Sequence, residues 1–213
     1  MDIFGSFALI LAFLAAVYAF IAGIVGIATR RPLLTKSARQ AGMAVCVLIT
    51  LAVASLEYFF FTDNFSLAYV AEHSNRALPA FYKFAALWSG QEGSLLFWSW
   101  VLSIYAFWAL FLNRKKHPEL MPFVGVVVSG VQIFFLTLNN FVASPFHIRG
   151  GMDATGVLRM ATMSDGHGLN PLLQYPEMVI HPPMLYLGYT GFTIPFAFAL
   201  AALLGRYPGE KWI

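Results

Sequence analysis

Charge is what this sequence has least of. Only 11% of its 213 residues are Asp, Glu, Lys or Arg, while 59% are hydrophobic; a soluble domain carries about 25% charged residues. Such a deficit leaves too little polar surface to coat a globule, which excludes a water-soluble fold. Cysteine is almost missing as well. Cys46 stands alone, so the chain has no disulfide framework and no C-x-x-C dithiol or metal motif, and Cys46 reads as a small packing residue. Alternating polar and apolar positions, the mark of β-barrel spans, are also lacking. The net charge of +3 is small and dispersed, a topology signal with no patch for nucleic acid.

What the sequence has is long apolar runs. Five of them, at 4–28, 41–61, 94–112, 121–142 and 183–204, reach the length of about 20 residues needed to span hydrocarbon as a helix. They predict an all-α, polytopic membrane protein, a single transmembrane module over 1–213, with two long loops at about 62–93 and 143–182. The first run lacks a basic n-region and exceeds a signal h-region, so it reads as a retained helix. Arg30, Arg31, Lys36, Arg39, Arg114, Lys115, Lys116, Arg206 and Lys211 fall on one side, against Arg76, Lys83, Arg149 and Arg159 in the longer segments opposite. The basic side is expected to be cytoplasmic, which places the N-terminus and both long loops outside.

Polar residues within so apolar a chain stand out. Glu57 is the only acid inside the five runs, and an intramembrane carboxylate suggests either a proton or partner site or a side chain reaching interfacial water. Asn139 and Asn140 suit bonds across helices or the capping of a helix end. Trp88-Ser-Gly-Gln-Glu-Gly-Ser94 reads as a glycine-bearing turn that holds Gln91 and Glu92 at the membrane surface, with Ser94 as the N-cap of the third span. Trp98, Trp100 and Trp108 form an aromatic stripe that suits helix packing, lipid contact or a wall for a flat apolar ligand. In the second loop, Arg149 and Arg159 suit carboxylates such as haem propionates, or pairing with Asp153 and Asp165. His147 and His167 read as residues of exposed turns.

The densest signal is Val179-Ile-His-Pro-Pro-Met-Leu-Tyr186. Pro182 and Pro183 suit a helix's first turn, where a missing N–H costs nothing. His181 would then sit just outside the helix, held extended by the following proline. An imidazole mounted so stiffly suits a metal or haem ligand, or is an ordinary interfacial histidine. Tyr186, Gly188 and Tyr189 would give a smooth surface beside it, and Pro195 should kink the last span.

Taken together, Trp88 to Trp98, Leu169-Asn-Pro-Leu-Leu-Gln174, the His181-Pro-Pro block, Asn140 and Pro145-Phe146 resemble the CcmF haem-lyase family of bacterial cytochrome c maturation, within the haem-handling protein superfamily. The resemblance runs along nearly the whole chain. It implies a bacterial inner-membrane protein that receives haem from a periplasmic haem chaperone and helps attach it covalently to apocytochrome c. It implies His181 as an axial ligand to haem iron, with Trp88, Gln91, Glu92, Arg149, Pro182, Pro183 and Tyr186 around the haem. The family's tryptophan-rich segment, second outward histidine and two membrane histidines are missing. The resemblance therefore covers only the N-terminal third or so of the family protein. It implies further partners, namely the C-terminal portion of the haem lyase and the thiol-reducing subunit that serves apocytochrome c, and little activity for this piece alone. Two other readings stay open: an ion or small-molecule transporter subunit built around Glu57, and a structural module packing beside a catalytic half.

Overall fold

The computed structural model describes residues 2–148, 150–152, 158–160 and 163–207. Its framework is helical: α1 Asp2–Ala28, α2 Pro32–Phe61, α3 Ala68–His73, α4 Ala80–Ala85, α5 Gln91–Asn113, α6 Met121–Thr137, α7 Pro176–Gly191 and α8 Thr193–Leu204. A two-stranded antiparallel hairpin, β1 Gly150–Met152 and β2 Leu158–Met160, decorates the second loop, with Gly151 opposite Arg159. Five helical segments are long and apolar enough to cross a membrane, the last being α7 and α8 in series over Pro176–Leu204. This is an all-α, multi-pass membrane protein.

Four spans form a closed bundle in which α1 packs on α2 and α6, α2 on α5, and α5 on α6; α7 and α8 add to its outside against α5 and α6. Burial agrees with that order. The apolar window of the fifth span is 22% buried, against 39–50% for the other four. In lipid there is little hydrophobic drive between helices, so close packing and interhelical hydrogen bonds must hold them. On α1 a buried stripe of Ala8, Ala12, Ala16 and Ala19 faces the bundle, while Phe7, Ile10, Leu14 and Ile21 point outward. Polar cross-links supply the rest. Trp100 Nε1 on α5 donates to Thr50 Oγ1 on α2 at 3.0 Å. Asn139 Nδ2 reaches Ser99 Oγ on α5 at 2.6 Å, and Asn140 Nδ2 reaches the Leu9 carbonyl on α1 at 3.3 Å. Both amides lie in a π-helical turn, Leu138–Val142, that widens the end of α6 and aims them sideways.

Several boundaries differ from the sequence expectation. The second span begins at Pro32, well before residue 41, because Pro32 at its first turn starts a helix that carries Lys36 and Arg39 on its polar end. The basic segment 30–39 is therefore mostly helix; its turn is Thr29–Arg31, with Arg30 at a positive φ of 54°. The third span begins at Gln91 with Gly90 as its N-cap, so Gln91 and Glu92 occupy a helical first turn. Ser94 caps nothing: its hydroxyl donates back to the Trp88 carbonyl at 3.0 Å. The fifth span begins at Pro176, seven residues ahead of Pro183, and breaks at Phe192, where Pro195 leaves the Gly191 carbonyl without an N–H donor.

The two long loops fold onto each other at the end of the bundle where α1 begins. The Ala68 N–H donates to the His147 carbonyl at 2.9 Å. The carbonyls at the end of α3 take N–H groups from the second loop, His167 to Ala71 at 2.7 Å and Gly168 to Ser74 at 3.1 Å. Asp165 Oδ1 accepts from the Arg76 backbone N–H at 2.9 Å and from Gly166 N–H at 2.8 Å, which holds its carboxyl below the ordinary carboxylate range. Lys83, nearly buried, reaches Asp63 at 2.6 Å and ties α4 to the end of α2.

Candidate functional site: the inner and outer faces of α7

The site begins at Tyr175. This residue precedes Pro176 and is extended, with φ −127° and ψ 130°. The restriction that a proline imposes on its predecessor therefore acts at Tyr175, and His181 lies inside α7. Pro182 and Pro183 are also inside the helix. Their missing N–H groups leave the carbonyls of Met178 and Val179 without helical partners. Trp88 satisfies one of them: its Nε1–H donates to the Val179 carbonyl at 3.1 Å.

Helical periodicity splits α7 into two faces. Val179 and Thr190 are buried, and Pro182, Pro183 and Tyr186 are half-buried; these pack inward. The Tyr186 ring lies 5.8 Å from Phe97 and 5.6 Å from Trp98, and Trp98 in turn meets Phe135 of α6 at 4.9 Å. Phe97 meets Trp88 at 5.1 Å, and Trp88 meets Phe84 at 5.2 Å. A continuous aromatic seam thus joins the first loop, α5, α6 and α7. A cleft beside Trp88, lined by Leu169, Leu173 and Pro182 among others, measures about 20 Å³, far too small for a macrocycle. The other face of α7 carries His181 with Met178, Met184 and Leu185, all exposed, and beside Gly188 there is open space.

The expected cluster is therefore divided. Trp88, Pro182, Pro183 and Tyr186 come together, but behind α7, on the side away from the His181 imidazole. The sequence suggested a surface of Tyr186 beside His181; the 3.6-residue period turns the two apart. Gln91 is exposed and Glu92 half-buried on the first turn of α5, where an acid complements the helix dipole. Arg149 and Asp153 lie outside the described residues. Among the described residues no group of three or more His, Cys, Asp or Glu side chains is gathered that could hold a metal ion. What the outer face offers a planar iron macrocycle is one accessible imidazole with apolar flanks, which fits one axial ligand.

Tyr69 was missed in the sequence, yet it organises the turn that carries Trp88. Its hydroxyl donates toward the Ala86 and Leu87 carbonyls at 3.0 and 3.1 Å and accepts the Gly90 N–H at 3.0 Å. Burial raises its phenol well above the usual tyrosine range. The glycines of the Trp88-to-Ser94 motif make this possible by their lack of a Cβ. A Cβ at Gly93 would lie 1.9 Å from the Leu87 carbonyl and 2.3 Å from the Tyr69 hydroxyl, and one at Gly90 would lie 2.5 Å from His73 Nε2. His73 is stacked on Tyr69 at 4.3 Å, its Nδ1 bonded to the Tyr69 carbonyl at 2.9 Å. It is a packing histidine of the loop. Glu57, near the end of α2, has both carboxylate oxygens buried without a hydrogen-bond partner.

Known proteins resemble this chain. The family described as "Cytochrome C assembly protein" matches residues 88–211, the stretch from the Trp88 turn through α8. The cytochrome c-type biogenesis protein CcmF of Pseudomonas fluorescens is 37% identical over 210 residues, covering 98% of this chain and 30% of the relative. The cytochrome c-type biogenesis protein NrfE of Haemophilus influenzae is 36% identical over 204 residues, covering 94% of this chain and 30% of the relative. A solved structure, "Cytochrome c Heme Lyase CcmF", superposes with a TM-score of 0.78 over 99% of this chain and 31% of its own, at 24% identity, and so shares the fold. The chain spans about 30% of the length of the curated relatives it matches. Over the stretch that holds both faces of α7, the chain belongs to the cytochrome C assembly protein family.

Proposed function

We propose that this chain is the haem-handling part of a membrane haem lyase in cytochrome c maturation. In this reading haem is the substrate, delivered by a haem chaperone outside the membrane and joined through thioether bonds to apocytochrome c. The observation that carries the reading is the placement of His181, an exposed imidazole flanked by Met178, Met184 and Leu185, on a helix whose far side is locked by the Trp88–Val179 bond and the aromatic seam. Ligation by His181 would fix the macrocycle and leave its vinyl edges open to thiols. The chain's contribution is position rather than acid–base chemistry. The nearly open α7–α8 face gives room for the remainder of the lyase, which would bring the second axial ligand. The protein would sit in the bacterial inner membrane, with its basic end cytoplasmic and its two interlocked loops periplasmic.

Haem staining of c-type cytochromes in cells carrying His181→Ala tests this. The expected outcome is loss of holocytochrome c with normal amounts of the variant in the membrane. Normal holocytochrome c levels with that variant would remove His181 from the reaction.

A further inference from the structure

At the opposite, basic end of the bundle a cavity of about 240 Å³ opens among α1, α2, α5 and α6. Three cations line it, Lys36 and Arg39 from the first turns of α2 and Arg114 from the end of α5, together with Ser129 and with Thr35, whose hydroxyl donates to the Pro32 carbonyl at 3.0 Å. Among the described residues no carboxylate lines it, and the one ion pair among them, Lys83–Asp63, belongs to the other end of the molecule. Arg39 Nε is buried with no hydrogen-bond partner, an arrangement that costs free energy unless something accepts from it. Arg114 folds back so that Nη1 donates to the Phe111 carbonyl and the guanidinium stacks 3.8 Å above the Phe111 ring. Arg114 borders the cavity from this position. The N-terminal turn of α2 carries no side-chain cap and borders the same space through Pro32 and Thr35, adding its positive dipole end.

We propose that this cavity binds a phosphate-bearing anion, and that the occupant is the phosphodiester headgroup of an anionic membrane lipid. The chemistry is that of phosphate recognition: guanidinium forks, an ammonium and, among the described residues, no competing acid. The location is that of a lipid site, since basic pockets between spans at the membrane boundary select anionic headgroups. Such a lipid would staple the α1–α2 turn to the α5–α6 connection. This function is separate from the handling of haem at α7.

Native mass spectrometry of the full chain, purified with whatever accompanies it, tests the proposal with phosphatidylglycerol and phosphatidylcholine as probes. The wild type should retain phosphatidylglycerol over phosphatidylcholine by about tenfold or more, the order expected of a few basic contacts. Arg39→Gln with Lys36→Gln should bring the two lipids to parity. Gly125→Leu should do the same with every cation in place, by filling the cavity; the first carbon of its side chain meets only Leu110 at 3.7 Å. Unchanged helical circular dichroism certifies each variant's fold. Displacement of phosphatidylglycerol by millimolar inorganic phosphate would support the anion site and assign it to free phosphate. Equal retention of both lipids by the wild type, or a preference that survives both the charge and the Gly125→Leu variants, would overturn the proposal.

Discussion

Trp88 donates its indole N–H to the carbonyl of Val179, the residue whose usual helical donor is removed by Pro183. A tryptophan of the first loop thus completes a helix that begins 88 residues later in the chain, at Pro176. The double proline is tolerated because an outside donor repays half of what it takes away, and the repayment fixes α7 against the aromatic seam.

This pairing makes a thermodynamic prediction. Trp88→Phe keeps the ring but strands the Val179 carbonyl, and should cost about 1–2 kcal/mol of stability, the range for a lost buried hydrogen bond. Pro183→Ala restores a backbone donor to Val179. In that background the cost of Trp88→Phe should fall, and a double-mutant cycle on detergent-solubilised protein measures the difference. Equal cost in both backgrounds would break the link between indole and proline.

The Tyr69 hub predicts a second effect. Gly93→Ala drives a methyl into the Leu87 carbonyl and the Tyr69 hydroxyl, so it should destabilise the loop layer by about 2 kcal/mol or more. Tyr69→Phe removes a donor and an acceptor but creates no clash, so it should cost about 1–2 kcal/mol. Protease sensitivity of segment 62–90 under native conditions would rank the two, with Gly93→Ala the more sensitive.

The Lys83–Asp63 pair predicts an asymmetry. The Lys83 side chain is 9% exposed and that of Asp63 26%. Asp63→Asn leaves a nearly buried ammonium without its counter-charge, while Lys83→Met leaves a carboxylate that water can still reach. Unfolding measurements should show the larger loss for Asp63→Asn, by about 1 kcal/mol or more. The opposite order would contradict the pairing.

Asp165 carries a pH prediction. Its carboxyl is depressed chiefly because the ionised form accepts the Arg76 N–H. A depressed carboxylate contributes stability that is present above its unfolded-state pKa and lost as pH falls through the folded value. The grip of the second loop on the end of α3 should therefore loosen on acidification below the ordinary carboxylate range and hold at neutral pH. A fluorophore pair on residues 76 and 164 reads this, and Asp165→Ala should be loose at both pH values.

The membrane architecture was legible in the sequence because hydropathy and length suffice for spans. The runs 4–28 and 121–142 agree with the helices at both ends. Starts of spans were less legible wherever polar residues continue a helix beyond the hydrocarbon, as Lys36 and Arg39 do on α2 and Gln91 and Glu92 do on α5. The His181 block misled for a different reason. A double proline marks a helix start only when no tertiary donor rescues the freed carbonyls, and Trp88, distant in sequence, is such a donor. The importance of the Trp88 turn was readable from its motif. Its mechanical centre was not, because a lone Tyr69 in a short helix gives no local signal of the three backbone groups that converge on its hydroxyl.

The central claim concerns the outer face of α7, and an absorption spectrum tests it most directly. The protein would be purified from native membranes with its partners, wild type beside His181→Ala, and the partners identified by mass. A Soret band in the wild type that weakens or shifts in the variant, with the same partners present, is the result expected of axial ligation by His181. Identical Soret bands in the two proteins, or none in the wild type with its partners in place, would contradict it.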